Sequence, residues 1–138
     1  GYTLPESESY MNRGLDFCLD FVDFGARSES TVRREHMFKP RTEEAYGNGS
    51  HRQALIGTGT TPCFQVKKSV INGVVTREES SFYIGVVTQG ACTLQTGTEA
   101  IELARYDKFF CPAGLGAYTI ESQQGVQILE CFPPVSEN

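Results

Sequence analysis

The apolar positions divide the chain into stretches with different periods. Leu15, Cys18, Leu19 and Val22 recur at three- and four-residue spacing, with Asp16, Asp20 and Asp23 on the opposite side. That pattern predicts a short amphipathic helix over residues 15–24, ending near Gly25. The same stretch partly alternates through Phe17, Leu19 and Phe21, so a strand is its rival reading. Residues 1–14 are polar and read as an arm. Residues 25–50 show little periodicity, end in the turn-rich Tyr46-Gly47-Asn48-Gly49-Ser50, and read as a solvated connector.

From residue 51 onward the period is two. Short runs of Val, Ile, Phe, Tyr and Thr predict strands at 53–56, 63–70, 82–88, 91–96, 99–103, 108–111, 117–121 and 126–132. Turn signals separate them, among them Asn72-Gly73, Gln89-Gly90, Thr96-Gly97, Tyr106-Asp107 and Gln124-Gly125. Asn72-Gly73 predicts a hairpin because both residues tolerate positive φ. Eight short antiparallel strands fit an all-β sandwich or a small barrel, and no alternating helices suggest a parallel α/β sheet. The chain then divides into an arm, helix and connector at 1–50 and a β domain at 51–138.

Composition narrows the class. The 138 residues suffice for one domain with a real core. A net charge of −5 offers no basic stripe for nucleic acid. No apolar run approaches the ~20 residues of a membrane helix, and no basic start leads into an apolar stretch. The first residue is Gly1, which leaves open a processed product, a tag remnant or a domain cut from a longer protein. The five cysteines include no C-x-x-C pair, and all but Cys63 have apolar neighbours, so they read as reduced buried hydrophobes of a cytoplasmic protein. Only two histidines occur, His36 and His51, too few for a three-imidazole metal site.

Residues 82–121 carry a resemblance. Val86-Val87-Thr88-Gln89-Gly90 reads as an apolar strand closing in a glycine turn. A paired strand follows to Gln95, then a turn at Gly97, a turn at Tyr106-Asp107, and an apolar strand closed by Pro112-Ala113-Gly114. This order resembles a cupin, which implies a double-sheet jelly roll. Thr61-Pro62-Cys63-Phe64 and Phe110-Cys111-Pro112-Ala113-Gly114-Leu115-Gly116-Ala117-Tyr118 further resemble the C-terminal part of class I mannose-6-phosphate isomerases. The resemblance covers residues 61–133, and more loosely 15–24.

The departures from that pattern matter as much. Metal-binding cupins place two histidines and a glutamate before the first glycine turn, and a third histidine after Pro-x-Gly. Those positions project here onto Arg77, Glu79, Tyr83 and Ala117. Only Glu79 could ligate a metal, so no metal and no other cofactor is expected, and no catalytic residue transfers from the family. The resemblance therefore implies a metal-free cupin domain, structural or sugar-binding, and not catalytic alone. A free-standing binder of a sugar or small anion is the alternative. Arg77, Glu79, Tyr83 and Tyr118 are the candidate substrate-binding residues: Arg77 for a phosphate or carboxylate, the tyrosines for stacking or hydrogen bonding. Asp107 reads as a turn residue. Expected partners are a sugar phosphate or small anion, a second copy in a homodimer, and a preceding metal-binding half in a longer parent protein.

Overall fold

The structure is a computed structural model that describes residues 3–134. It divides into two units, residues 1–37 and 38–138. The first unit holds three short helices: α1 (Glu6–Ser9), α2 (Leu15–Leu19) and α3 (Glu29–Glu35). Helix α2 is shorter than the helix expected over 15–24, and neither α2 nor α3 contains a buried residue. Phe17 and Phe21 instead meet edge to face at 5.1 Å. Helix α3 lies in the stretch expected to be a connector. Ser28 caps it by accepting from the Thr31 N–H at 3.2 Å, and Arg33 pairs with Glu29 one turn away.

The second unit is built of eight strands: β1 (Arg41–Gly47), β2 (Ser50–Ile56), β3 (Gln65–Arg77), β4 (Tyr83–Gly90), β5 (Cys92–Gln95), β6 (Ala100–Leu103), β7 (Lys108–Cys111) and β8 (Tyr118–Phe132). The hairpin of β1 and β2 turns at Asn48-Gly49, both at positive φ. It places residues 41–50 in the sheet, not in a connector, so the β unit begins before residue 51. Strand β1 escapes a hydrophobic reading because only Glu44 and Tyr46 are withdrawn from solvent along its length.

Strands β3 and β8 run through both layers. Residues 65–71 of β3 pair with 126–132 of β8, and residues 73–77 pair with 118–122. The large sheet has the order β1-β2-β3-β8-β4-β7, and β5 and β6 extend the other half of β8 into a second layer. This is a jelly-roll sandwich. Asn72-Gly73 is therefore no hairpin, and Gln124-Gly125 no terminal turn. Both are breaks within long strands, where four positions of β8 span two of β3. Gly73 and Gly125 do take positive φ, of 82° and 85°. The local signal was real, but it marks a bulge where the chain passes from one sheet to the other.

The core follows the two-residue period. Tyr118, Ile120, Val126, Ile128 and Phe132 of β8 face inward against Ile71, Val75, Tyr83, Val87 and Leu94. Cys92 and Cys111 are buried, but Cys131 is exposed, because the same alternation turns it outward between Glu130 and Phe132. Strand β7 ends at Cys111, just before Pro112, which has no N–H to continue the ladder.

Candidate functional site

The inward faces of β2, β3 and β8 bring charges into the core. Glu130 of β8 is 0% exposed. Its Oε1 accepts from Arg77 Nη2 and from Ser69 Oγ, each at 2.7 Å. Its Oε2 accepts from Arg52 Nε at 2.9 Å. Arg77 Nη1 also donates to Ser69 Oγ at 3.0 Å. Ser69 and Arg77 share the inner face of β3, and Arg52 arrives from the paired position on β2.

The network has two extensions. Toward the core, Arg77 Nη2 reaches the Tyr83 hydroxyl at 3.4 Å, and the Tyr83 and Tyr118 hydroxyls share a hydrogen bond of 2.8 Å. The Arg77 guanidinium lies 5.7 Å from the Tyr118 ring centre, and Tyr83 stacks on Phe132 at 5.0 Å. Toward the surface, Arg52 Nη1 donates to Glu44 at 2.8 Å and Arg52 Nη2 donates to Glu79. Tyr46 donates to the second oxygen of Glu44. Two guanidiniums thus face three carboxylates, and only the outer two carboxylates touch water.

The electrostatics follow from that balance. Burial alone would raise the Glu130 carboxyl, but the Arg77 and Arg52 guanidiniums outweigh it and hold the group below the ordinary carboxylate range. Burial likewise works against the charge of both arginines, and Glu130 more than restores it. Burial raises the Tyr83 and Tyr118 phenols well above their usual value. The Tyr46 phenol is pushed up to about 12, by burial and by its bond to Glu44. Every one of these groups keeps its ordinary neutral-pH charge.

The four residues expected at a ligand site thus lie in one network. Arg77, Tyr83 and Tyr118 sit together in the interior, at 5%, 0% and 1% exposure, with their polar groups turned on one another and on Glu130. Glu79 sits nearer the rim on Arg52. Arg77 Nε alone among the described buried side-chain atoms has no partner. Sequence reasoning missed Arg52, Ser69, Glu130 and Glu44. A signal existed for Glu130. It stands in phase with Val126, Ile128 and Phe132, an acid on the inward face of a strand. Asp107 holds its turn, accepting from the Ala104 N–H at 2.8 Å beside Tyr106 at positive φ.

This donor set does not fit a divalent metal. The projected ligand positions hold a guanidinium, a carboxylate paired to Arg52, a phenol and a methyl group. Both Glu130 oxygens are taken by cations and a hydroxyl. Among the described residues no group of three His, Cys, Asp or Glu could hold a metal ion. His36 accepts from Arg27 at the end of α3, and His51 Nδ1 donates to the Gly49 carbonyl at 2.8 Å.

No protein-family model and no curated protein matches the sequence. Solved structures do match the fold. The mannose 6-phosphate isomerase of Bacillus subtilis matches 86% of this chain over 34% of its own, with a TM-score of 0.61 and 20% identity. An RmlC-like cupin from Shewanella frigidimarina matches 75% of this chain over 94% of its own, with a TM-score of 0.57 and 19% identity. A cupin superfamily protein from Desulfitobacterium hafniense matches 67% over 84%, with a TM-score of 0.54 and 18% identity. At these identities the likeness is one of fold, and with the two-sheet topology it shows that the chain has the cupin fold.

Proposed function

We propose that the chain is a metal-free cupin domain, akin to the C-terminal portion of a mannose-6-phosphate isomerase, that serves a structural or sugar-binding role and does not catalyse by itself. One observation carries this reading. Arg77 and Glu79, two of the positions onto which the family's metal ligands project, are taken up in a buried ion-pair cluster with Arg52 and Glu130. Ion pairs of this kind position strands. Both Glu130 oxygens are already taken by guanidiniums and a hydroxyl, and Glu79 by Arg52, which leaves neither carboxylate free to ligate. The match to about a third of the Bacillus enzyme fits a role beside a metal-bearing half in a longer protein. A cytoplasmic setting agrees with five unpaired cysteines, and no helix among the described residues is long and apolar enough to cross a membrane.

The test is turnover. Purified chain, with and without added zinc, is assayed for interconversion of mannose 6-phosphate and fructose 6-phosphate. The reading expects no turnover above background in either condition. Zinc-dependent turnover would overturn it.

A second reading is a free-standing binder of a sugar phosphate or small anion through Arg77, Glu79, Tyr83 and Tyr118. Its support is the unpartnered Arg77 Nε and a fold match spanning 94% of a small cupin. It expects fructose 6-phosphate to raise the melting temperature of the native chain but not of Arg77→Met.

A further inference from the structure

Three neighbouring strands lose register at one place. Strand β3 breaks between Ile71 and Gly73, β8 between Ser122 and Val126, and β4 between Val87 and Gln89. Such breaks leave backbone groups outside the ladder and re-aim side chains, and they collect beside binding sites. Here they surround a recess of about 150 Å3.

Its polar lining is made of carboxamides: Asn72, Gln89, Gln124 and Gln127, with Val70 and Val126 as apolar wall. No lining side chain is ionisable. Gln127 Nε2 donates to Gln89 Oε1 at 3.0 Å, which leaves the Gln89 amino group and the Gln127 oxygen with open valences. Gln124 has no side-chain partner among the described residues. Asn72 lies against β8 because residue 125 is glycine: a Cβ there would stand 2.8 Å from Asn72 Oδ1. Asn72 Nδ2 donates to the Asn48 carbonyl at 3.4 Å, so the free donors and acceptors come mainly from the three glutamines. That chemistry matches vicinal hydroxyls, and the absence of charge gives it no preference for phosphate. The volume is below the ~300–1,000 Å3 of drug-sized pockets, so the recess takes only a small ligand.

We infer that this recess is a binding site for a neutral monosaccharide or polyol, separate from the barrel interior. The site extends the reading of the domain as a non-catalytic binder and assigns its ligand to the sheet junction. The Arg52–Glu130–Arg77 cluster remains a structural element.

The test is a titration of the 15N-labelled full chain with D-mannose, followed through the side-chain amide signals of Asn72, Gln89, Gln124 and Gln127. Saturable shifts with a millimolar Kd are expected, and the double variant Gln89→Ala/Gln127→Ala should weaken binding about tenfold or more. Both glutamines lie toward the surface, and an unchanged backbone spectrum checks that the variant is folded. The absence of saturable shifts with D-mannose, D-glucose and xylitol would overturn the inference. So would binding that the double variant leaves intact, or shifts centred on Arg77, Tyr83 and Tyr118. None of these outcomes bears on isomerase turnover, so this site and the non-catalytic reading fail separately.

Discussion

Arg77 Nη2 donates to Glu130 Oε1 at 2.7 Å, and the two side chains are only 2% and 0% exposed. A charge pair so withdrawn from water is held by mutual completion: each partner neutralises the other, and Ser69 and Arg52 satisfy the remaining carboxylate sites.

Removing one partner strands the other. Arg77→Met and Glu130→Gln should each lower unfolding free energy by about 3–5 kcal/mol, read from urea denaturation. Replacing the pair together, as Arg77→Met/Glu130→Leu, should recover most of that loss, because Arg52 keeps Glu44 and Glu79 as partners and the apolar replacements need none. Single losses below about 1 kcal/mol would mean that the cluster is hydrated and not part of the core.

The same pair sets an acid limit. Glu130 has a folded pKa depressed below its unfolded value, so its contribution is complete above the ordinary glutamate range and is lost as pH falls through the depressed value. Glu44, also lowered against the effect of its partial burial by Tyr46 and Arg52, acts in the same direction. The urea midpoint of the native chain should therefore fall as the pH drops below the ordinary glutamate range, and less steeply in Glu130→Gln. Parallel curves for the two proteins would contradict this.

Two glycines that look alike in sequence should behave differently. Gly90 has a φ of 76°, and a Cβ there would lie 2.2 Å from the Gly125 carbonyl oxygen, which is backbone and cannot swing away. Gly90→Ala should cost about 1–3 kcal/mol from the clash alone. A Cβ at Gly97 meets no atom within 4 Å, and that residue has no positive φ, so Gly97→Ala should be neutral or slightly stabilising. Thermal melts of the two variants check both expectations.

Thiol reactivity should divide along the strand alternation. Cys63 and Cys131 are exposed and should react with a thiol reagent in the native protein. Cys92 and Cys111 are buried, and burial pushes the Cys92 thiol up to about 11, so both should react only on unfolding. Rapid labelling of all five cysteines would contradict the packing described.

The double-sheet fold could be read from the sequence because the alternation of β4 through β8 is strong and its turns carry Gly, Pro or Asp. Projecting the spacing back from Gly90 also picked out Arg77, Glu79 and Tyr83, which the structure brings into one network with Tyr118. The remainder depended on long-range pairing. Strand β1 hides in a charged stretch because most of its face is solvated. The breaks at Asn72-Gly73 and Gln124-Gly125 share the local chemistry of a turn, and only the pairing of β3 with β8 makes them bulges. Arg52 and Glu130 are 78 residues apart, and neither signals the other until the sheet closes.

In the function proposed, ion pairs occupy the cupin interior in place of a metal. Elemental analysis of the purified chain after incubation with excess zinc and iron, and exhaustive dialysis, tests it most directly. No stoichiometric metal is expected, in the native protein and in Glu79→Gln alike. One zinc or iron retained per chain and lost in Glu79→Gln, the variant missing the only projected residue able to ligate, would contradict it.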